Sequence, residues 1–261
     1  MVNPAQGSIQ SVQRALRLLS TFTPEQPQWS VGELARATAL HKSMVTRLMA
    51  TMACEGFVLQ HPVSRAYTIG PQAFSVGNVY GPLTIFGEIA RPIMQDLAIS
   101  SGHACALGIR ADDVFTILII IDSPPSTPVH ITLKVGSRRP LHGGSIGKVL
   151  LADMSPERVR EILGSGPLVK STPFTIDSID QLAVELDEIR RTGIAVSRQE
   201  AIVGVGSVAA GITNANGDCI AGISVVYPFH LVTEQEMAAM AQLTTKAANQ
   251  ISQRLCNLSF G

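Results

Sequence analysis

The sequence predicts an α+β protein of two parts, a small helical reader at the N-terminus and a larger mixed body behind it. Three observations carry that expectation. Apolar residues recur at helical spacing through residues 11–54, the pattern switches to short β-branched runs after residue 103, and the charge divides unevenly. Residues 1–75 hold six Lys and Arg against three Glu, an excess of +3, while the rest of the 261-residue chain holds 14 against 17, an excess of −3. A basic module joined to a mildly acidic one suits a nucleic-acid reader with a separate sensing body, although an excess of three also arises by chance.

Composition narrows the class. With 46% apolar side chains the chain can bury a core, which excludes a disordered protein. Cys54, Cys105, Cys219 and Cys256 lie far apart with no Cys-x-x-Cys, and the six His are scattered, so neither a disulfide framework nor a metal site is expected. The first residues carry no basic and apolar leader pattern, and the longest apolar run, Val114 to Ile121, is far too short to span a bilayer. A reduced, cytoplasmic chain without a membrane partner is therefore expected.

Ser11 to Phe22 reads as an amphipathic helix with Val12, Ala15, Leu16, Leu19 and Phe22 inward. Pro24 and Pro27 end it. Ser30-Val-Gly-Glu33 is a capping box, in which a hydroxyl accepts from the third amide and the carboxylate reaches back. It opens a short helix, Val31 to Ala37, with Leu34 and Ala35 inward. A turn leads to a third helix, about His41 to Cys54, with Val45, Leu48, Met49 and Met52 on its apolar side and Gly56 beyond its end. Two helices joined by so short a turn make a helix-turn-helix, whose second member enters the major groove.

The residues left outward at its start are His41, Lys42, Ser43, Met44, Thr46 and Arg47, a donor-rich set suited to base edges and phosphates. Residues 57–60 and 66–69 read as a hairpin wing with Arg65 at its tip. The plainer alternative is a structural three-helix module with a solvated polar face. Because Lys42, Arg47 and Arg65 supply most of the phosphate charge, a single copy would bind weakly and a dimer is required.

Residues 71–84 read as a connector that starts as a helix. Leu83 to Ser101 is a second long amphipathic segment, with Ile85, Ile89, Ile93, Met94, Leu97 and Ala98 inward. Strands are expected at 104–110, 114–121, 129–135, 194–197, 205–212 and 220–226, with a turn at 111–113 and Asn216-Gly217 before the last strand. Helices are expected at 145–152, 155–163 (Ser155 capping, Pro156 first) and 178–192, and from the Thr233–Glu236 capping box to about Ser259.

Two motif-like stretches fail on inspection. His142-Gly-Gly-Ser-Ile-Gly-Lys148 puts His where a phosphate loop needs its first Gly, and Val149 where a hydroxyl should hold magnesium. Gly204-x-Gly206-x-x-Ala209 runs into a strand instead of a helix. No Gly-x-Ser-x-Gly is present, so no catalytic residues and no cofactor are expected.

Residues 8–19 (SIQSVQRALRLL), 31–36 (VGELAR), 40–48 (LHKSMVTRL), 56–58 and 67–70 (YTIG) together resemble the winged helix of IclR-type bacterial transcription regulators. Gly136-Ser-Arg-Arg-Pro-Leu-His142 with Ser145-Ile-Gly-Lys148, Thr172 to Leu182, Gly193 to Glu200 with Ser207-Val-Ala209, and Gly222 to Pro228 resemble that family's effector-binding domain, a fold related to GAF domains. The resemblance implies a winged helix over residues 8–70, a linker over 71–84 and a GAF-like effector domain over 85–261, its antiparallel sheet flanked by helices.

It further implies a pocket for a small organic acid. Carried across, its lining would be Ser145 and Ile146 at a helix N-terminus, where free N–H groups favour a carboxylate, with Ser197, Ser207, Ser224 and Val226. Ile131, Arg139 and Val205 are looser matches. Each of these Ser could equally be a satisfied sheet or cap hydroxyl. The chain departs from the family where smaller residues usually stand beside Ser145, and where Ser197 replaces a frequent Asp. Glu200 could simply anchor its loop through an ion pair. The expected function is a ligand-responsive transcription regulator that binds double-stranded operator DNA as a dimer or dimer of dimers. A small-molecule enzyme or a ligand sensor with an N-terminal oligomerisation module is the alternative, and an enzyme would need an acid/base cluster that this serine-lined set lacks.

Overall fold

In the computed structural model the described residues are 9–80, 85–111, 113–164 and 166–258. The expected helix start at Leu83 and end at Ser259, and Asp112 of the expected turn, lie outside them, as does the side chain of Ile85. The chain divides into two compact units, residues 1–84 and 85–261.

In the first unit, helix α1 (Gln10–Leu19) packs on α2 (Val31–Thr38) and α3 (Lys42–Cys54), followed by strands β1 (Val58–Gln60) and β2 (Tyr67–Ile69) and helix α4 (Pro71–Tyr80). The capping box forms: the Glu33 amide donates to Ser30 Oγ at 3.3 Å and the Ser30 amide to Glu33 Oε2 at 2.8 Å. The core joins Leu18, Leu34, Val45, Met49, Val58 and Tyr67. One expectation is overturned. Val12 and Leu16 are 51% and 57% exposed and Leu18 is fully buried, so α1, which ends at Leu19 and not at Phe22, turns Ala15, Leu18 and Leu19 inward, and Phe22 joins them from beyond its end. The two faces share three of their residues, and the seats offered by α2 and α3 decide between them.

The antiparallel pair β1–β2 forms the wing, extended by a bridge between Trp29 and Tyr67. α4 belongs to the first unit, where the Gln72 amide donates to the Gly56 carbonyl.

The second unit is built on a sheet of antiparallel strands in the order β5-β4-β3-β8-β7-β6: β3 (Ala104–Ala111), β4 (Val114–Ile121), β5 (Arg138–Pro140), β6 (Ile194–Arg198), β7 (Val205–Thr213) and β8 (Cys219–Pro228). Helices α5 (Ile85–Ser101) and α9 (Glu234–Leu258) cover one face, burying Met94, Leu107, Ile223 and Val225. Helices α6 (Ser145–Ala152), α7 (Pro156–Leu163) and α8 (Ile179–Thr192) cover the other, burying Phe115, Leu150, Leu182 and Ala209. A bulge opposite Leu107 and Gly108 skips Leu118, so Ile117 and Ile119 serve opposite layers.

The expected strand at 129–135 is absent. Residues 122–137 form an irregular loop tied by Ser123 Oγ to His130 Nδ1 at 2.7 Å, and the strand lies later, at Arg138–Pro140, paired to the start of β4. The ladder positions at the start of β4 are taken by Arg138–Pro140, which leaves the stretch before them, with Pro124, Pro125 and Pro128 ahead of the expected strand, outside the sheet.

Candidate DNA-reading face and effector cavity

The turn between α2 and α3 is Ala39-Leu-His41. Ala39 sits in the left-handed region at φ 56°, and the Ala39 and Leu40 amides both donate to the Ala35 carbonyl. A non-glycine residue held there carries about 1 kcal/mol of strain, which the packing of both helices offsets. The turn aims the start of α3 outward. His41, Lys42, Ser43, Thr46 and Arg47 are exposed and Met44 is half-buried, while Val45 and Met49 anchor the helix from below. The stem of Lys42 crosses α2 above Gly32. The Thr46 hydroxyl donates to the Lys42 carbonyl at 2.9 Å, which leaves its methyl and an oxygen lone pair outward.

Arg65, at φ 60°, projects from the wing tip, where His61 Nδ1 accepts from the Val63 and Ser64 amides. No carboxylate among the described residues pairs with Lys42, Arg47 or Arg65. Three cations are thus held on one unit without internal counter-charge, the state a phosphate backbone neutralises.

In the second unit a cavity lies over the sheet beneath the first turn of α6, with about 60 Å³ open to a water-sized sphere. Arg139, Ser145, Ile146, Ser197, Val205, Ser207, Ser224 and Val226 all line it, from four strands and a helix start. Ile131 does not; Leu133, two residues on, takes the place it was expected to fill, since the segment runs as a loop instead of a strand. Sequence reasoning also missed Phe115, Ile117 and Ala106 on the apolar wall. Alternation along β3 and β4 could have marked them, had the bulge been visible. A roomier concavity of about 650 Å³ is a shallow groove along α9 lined by Gln242, Asn249 and Gln253. Converging buried polar groups favour the smaller one.

Its polar end is well defined. Gly144 caps α6 at φ 151° and offers no side-chain acceptor, so the amides of Ser145, Ile146 and Gly147 have no intrahelical partner and concentrate the positive end of the helix dipole. Gly147 is required here, because a Cβ would sit 2.0 Å from the Leu141 carbonyl oxygen. Ser145 Oγ and Ser207 Oγ are 2.7 Å apart, and Ser224 and Ser197 are almost fully buried beside them. Arg139 is the one titratable side chain in the lining, and it makes no ion pair with a described residue. The arrangement can hold an anion and offers no general acid or base.

Lys148, one turn further along α6, is fully buried, and its ammonium donates to Glu185 Oε2 at 2.7 Å, Glu200 Oε1 at 2.8 Å and the Val196 carbonyl at 2.7 Å. It cannot meet a phosphate, and Glu200 anchors its loop by an ion pair. Burial pushes the Glu200 carboxyl above its usual range, with Lys148 pulling it back. This tie joins two walls of the cavity, the α6 start and the loop at 199–204, where Thr172 and Thr175 hydroxyls also donate to the Glu200 carbonyl. No group of described His, Cys, Asp and Glu side chains is placed to hold a metal ion, and no helix among the described residues is long and apolar enough to cross a membrane.

A winged helix-turn-helix in one unit and a cavity-bearing α+β fold in the other define a transcription regulator with an effector-binding domain. Residues 11–62 match the IclR helix-turn-helix domain and residues 84–253 match the family described as bacterial transcriptional regulator IclR C-terminal, and the chain belongs to this IclR family. It is 29% identical over 249 residues to the transcriptional repressor IclR of Escherichia coli K12, covering 95% of this chain and 91% of that one. Among solved structures, an IclR transcriptional regulator from Alicyclobacillus acidocaldarius matches at TM-score 0.83 with 24% identity, covering 95% of this chain and 99% of that one. An IclR homologue from Microbacterium hydrocarbonoxydans, crystallised with 4-hydroxybenzoate, matches at TM-score 0.75 with 22% identity, covering 94% and 99%. The protein is a regulator of this kind and not an enzyme.

Proposed function

We propose that the chain acts in the cytoplasm as a homodimer, or a dimer of dimers, which docks residues 8–70 of each copy on a pseudo-palindromic operator. A small organic acid, carboxylic or aromatic, bound within residues 85–261 sets whether that docking persists. The observation that carries the reading is the outward, unpaired start of α3. Lys42, Arg47 and the wing's Arg65 contact phosphates, while His41, Ser43, Met44 and Thr46 approach base edges. Six such cations per dimer give a salt dependence of roughly −5 in log K against log salt, whereas one copy gives about half of that.

Self-association is supported by α1. Ile9, Val12 and Leu16 stand 66%, 51% and 57% exposed at helical spacing, forming an apolar stripe that a second copy would cover. An acid is supported by the free amides of α6, by Arg139 and by the serine hydroxyls, and the neighbour crystallised with 4-hydroxybenzoate favours the same class. The mechanism is a population shift: the acid must bind one arrangement of the dimer more tightly than the other, since equal affinity moves nothing.

Footprinting of purified protein on the intergenic DNA beside its own gene tests the reading. Protection of two half-sites about one helical turn apart is expected. No protection at physiological salt ends it.

A further inference from the structure

The cavity is small for a reason visible in the sheet. Gly108 of β3 and Gly222 of β8 are direct register partners, so the two strands together leave a hollow without side chains. Ile146 and Phe115 fill it. The Cγ2 of Ile146 lies 3.0 Å from where a Cβ on Gly222 would stand and 3.3 Å from where one on Gly108 would stand, with Phe115 Cδ2 at 3.1 Å from the latter, and Ile146 is only 4% exposed. What remains open lies on the far side of Ile146, beside the next register pair but one, Ala106 and Ser224, and beneath Ser207 and Val226.

We infer that Ile146 is the specificity-determining residue of this cavity, restricting it to short aliphatic carboxylates and excluding aromatic acids. The inference rests on the acid-binding reading above and narrows its class. Each water-sized occupant needs about 10–15 Å³ by this measure, so about 60 Å³ admits roughly four to six non-hydrogen atoms. Acetate and butyrate fall within that range, and benzoate lies beyond it. Truncating Ile146 to Ala removes Cγ1, Cγ2 and Cδ1 and opens to the cavity the part of the glycine hollow that Cγ2 occupies, while Phe115 keeps its place. Ser145 and the α6 amides are untouched, so the carboxylate keeps its seat. The glycine pair supplies the floor, and Phe115, whose Cδ2 lies 3.1 Å from where a Cβ on Gly108 would stand, stays in place as its side wall.

Isothermal titration of the full-length protein with acetate, butyrate and benzoate tests this, alongside Ile146→Ala and the milder Ile146→Val, with circular dichroism to confirm that each variant is folded. The wild type should bind acetate or butyrate and should bind benzoate at least about tenfold more weakly; Ile146→Ala should gain about tenfold or more for benzoate, and Ile146→Val should fall between. If the wild type takes benzoate as well as it takes the short acids, or if folded Ile146→Ala and Ile146→Val both gain nothing, the size limit is wrong while the acid-binding reading stands. If no acid binds the wild type or either variant, the acid-binding reading fails and takes this inference with it.

Discussion

Replacing Lys148 by Met keeps the length of the side chain and deletes its ammonium, which makes it a sharp probe of how the cavity walls are joined. In the native fold the ammonium is fully buried with three acceptors, two of them carboxylates. Glu185 is 44% exposed and water takes over its solvation, but Glu200 is 6% exposed with Oε2 already lacking a partner. Removing one member of such a pair leaves a buried charge uncompensated, at a cost of roughly 3–5 kcal/mol. Urea unfolding followed by far-ultraviolet circular dichroism reads the loss as an earlier midpoint. The single tryptophan, Trp29, lies in the first unit, so its fluorescence transition should stay where it is.

The sign of the pH dependence follows. Burial holds the folded-state value of Glu200 above the ordinary 4.5, so the folded protein keeps a proton that the unfolded chain has released. Stability therefore falls as pH rises from the unfolded carboxylate range through the folded value. Without Lys148 only the Arg198 amide still opposes the upward push, and the deficit of Lys148→Met should be larger at pH 8 than at pH 5. Adding Glu200→Leu should recover most of it, because the stranded charge is gone. A deficit under about 1 kcal/mol, or one equal at both pH values, refutes the reasoning.

Other expectations are simpler to check. Ala39→Val should destabilise the Trp29 transition in urea by about 1–2 kcal/mol and Ala39→Gly should not, because φ 56° disfavours a branched side chain. Burial pushes the Cys105 and Cys219 thiols up to about 12, while Cys54 is exposed, so iodoacetamide at pH 8 should alkylate Cys54 first by peptide mass mapping. Leu16→Glu, which charges the outward stripe of α1, should shift sedimentation toward the single copy while leaving the fold intact.

Where local chemistry dictates structure, the sequence was legible. The Ser30–Glu33 box, the Ser155-Pro156 start of α7 and the Ile-rich β4 all form where their residues place them. The reading failed where the outcome depends on distant partners. α1 offers two overlapping apolar faces, and only the seats on α2 and α3 choose Leu18 over Leu16. Residues 129–135 alternate like a strand, yet the ladder on β4 is taken by Arg138–Pro140. Of the nine residues that the resemblance implied for a pocket, eight line one cavity, and Leu133 stands there instead of Ile131. The Lys148 tie joins residues 37 and 52 positions apart, a separation that no local pattern announces, and the Gly108–Gly222 pairing is equally remote.

The most direct test of the account is the salt dependence of operator affinity for the wild type and for Lys42→Ala, read by fluorescence anisotropy on a footprinted DNA fragment. If the start of α3 lies against the duplex in both copies, the variant loses about two phosphate contacts per dimer and the slope becomes shallower by roughly 1.8. A variant whose slope and affinity match the wild type would mean that this surface faces something other than DNA.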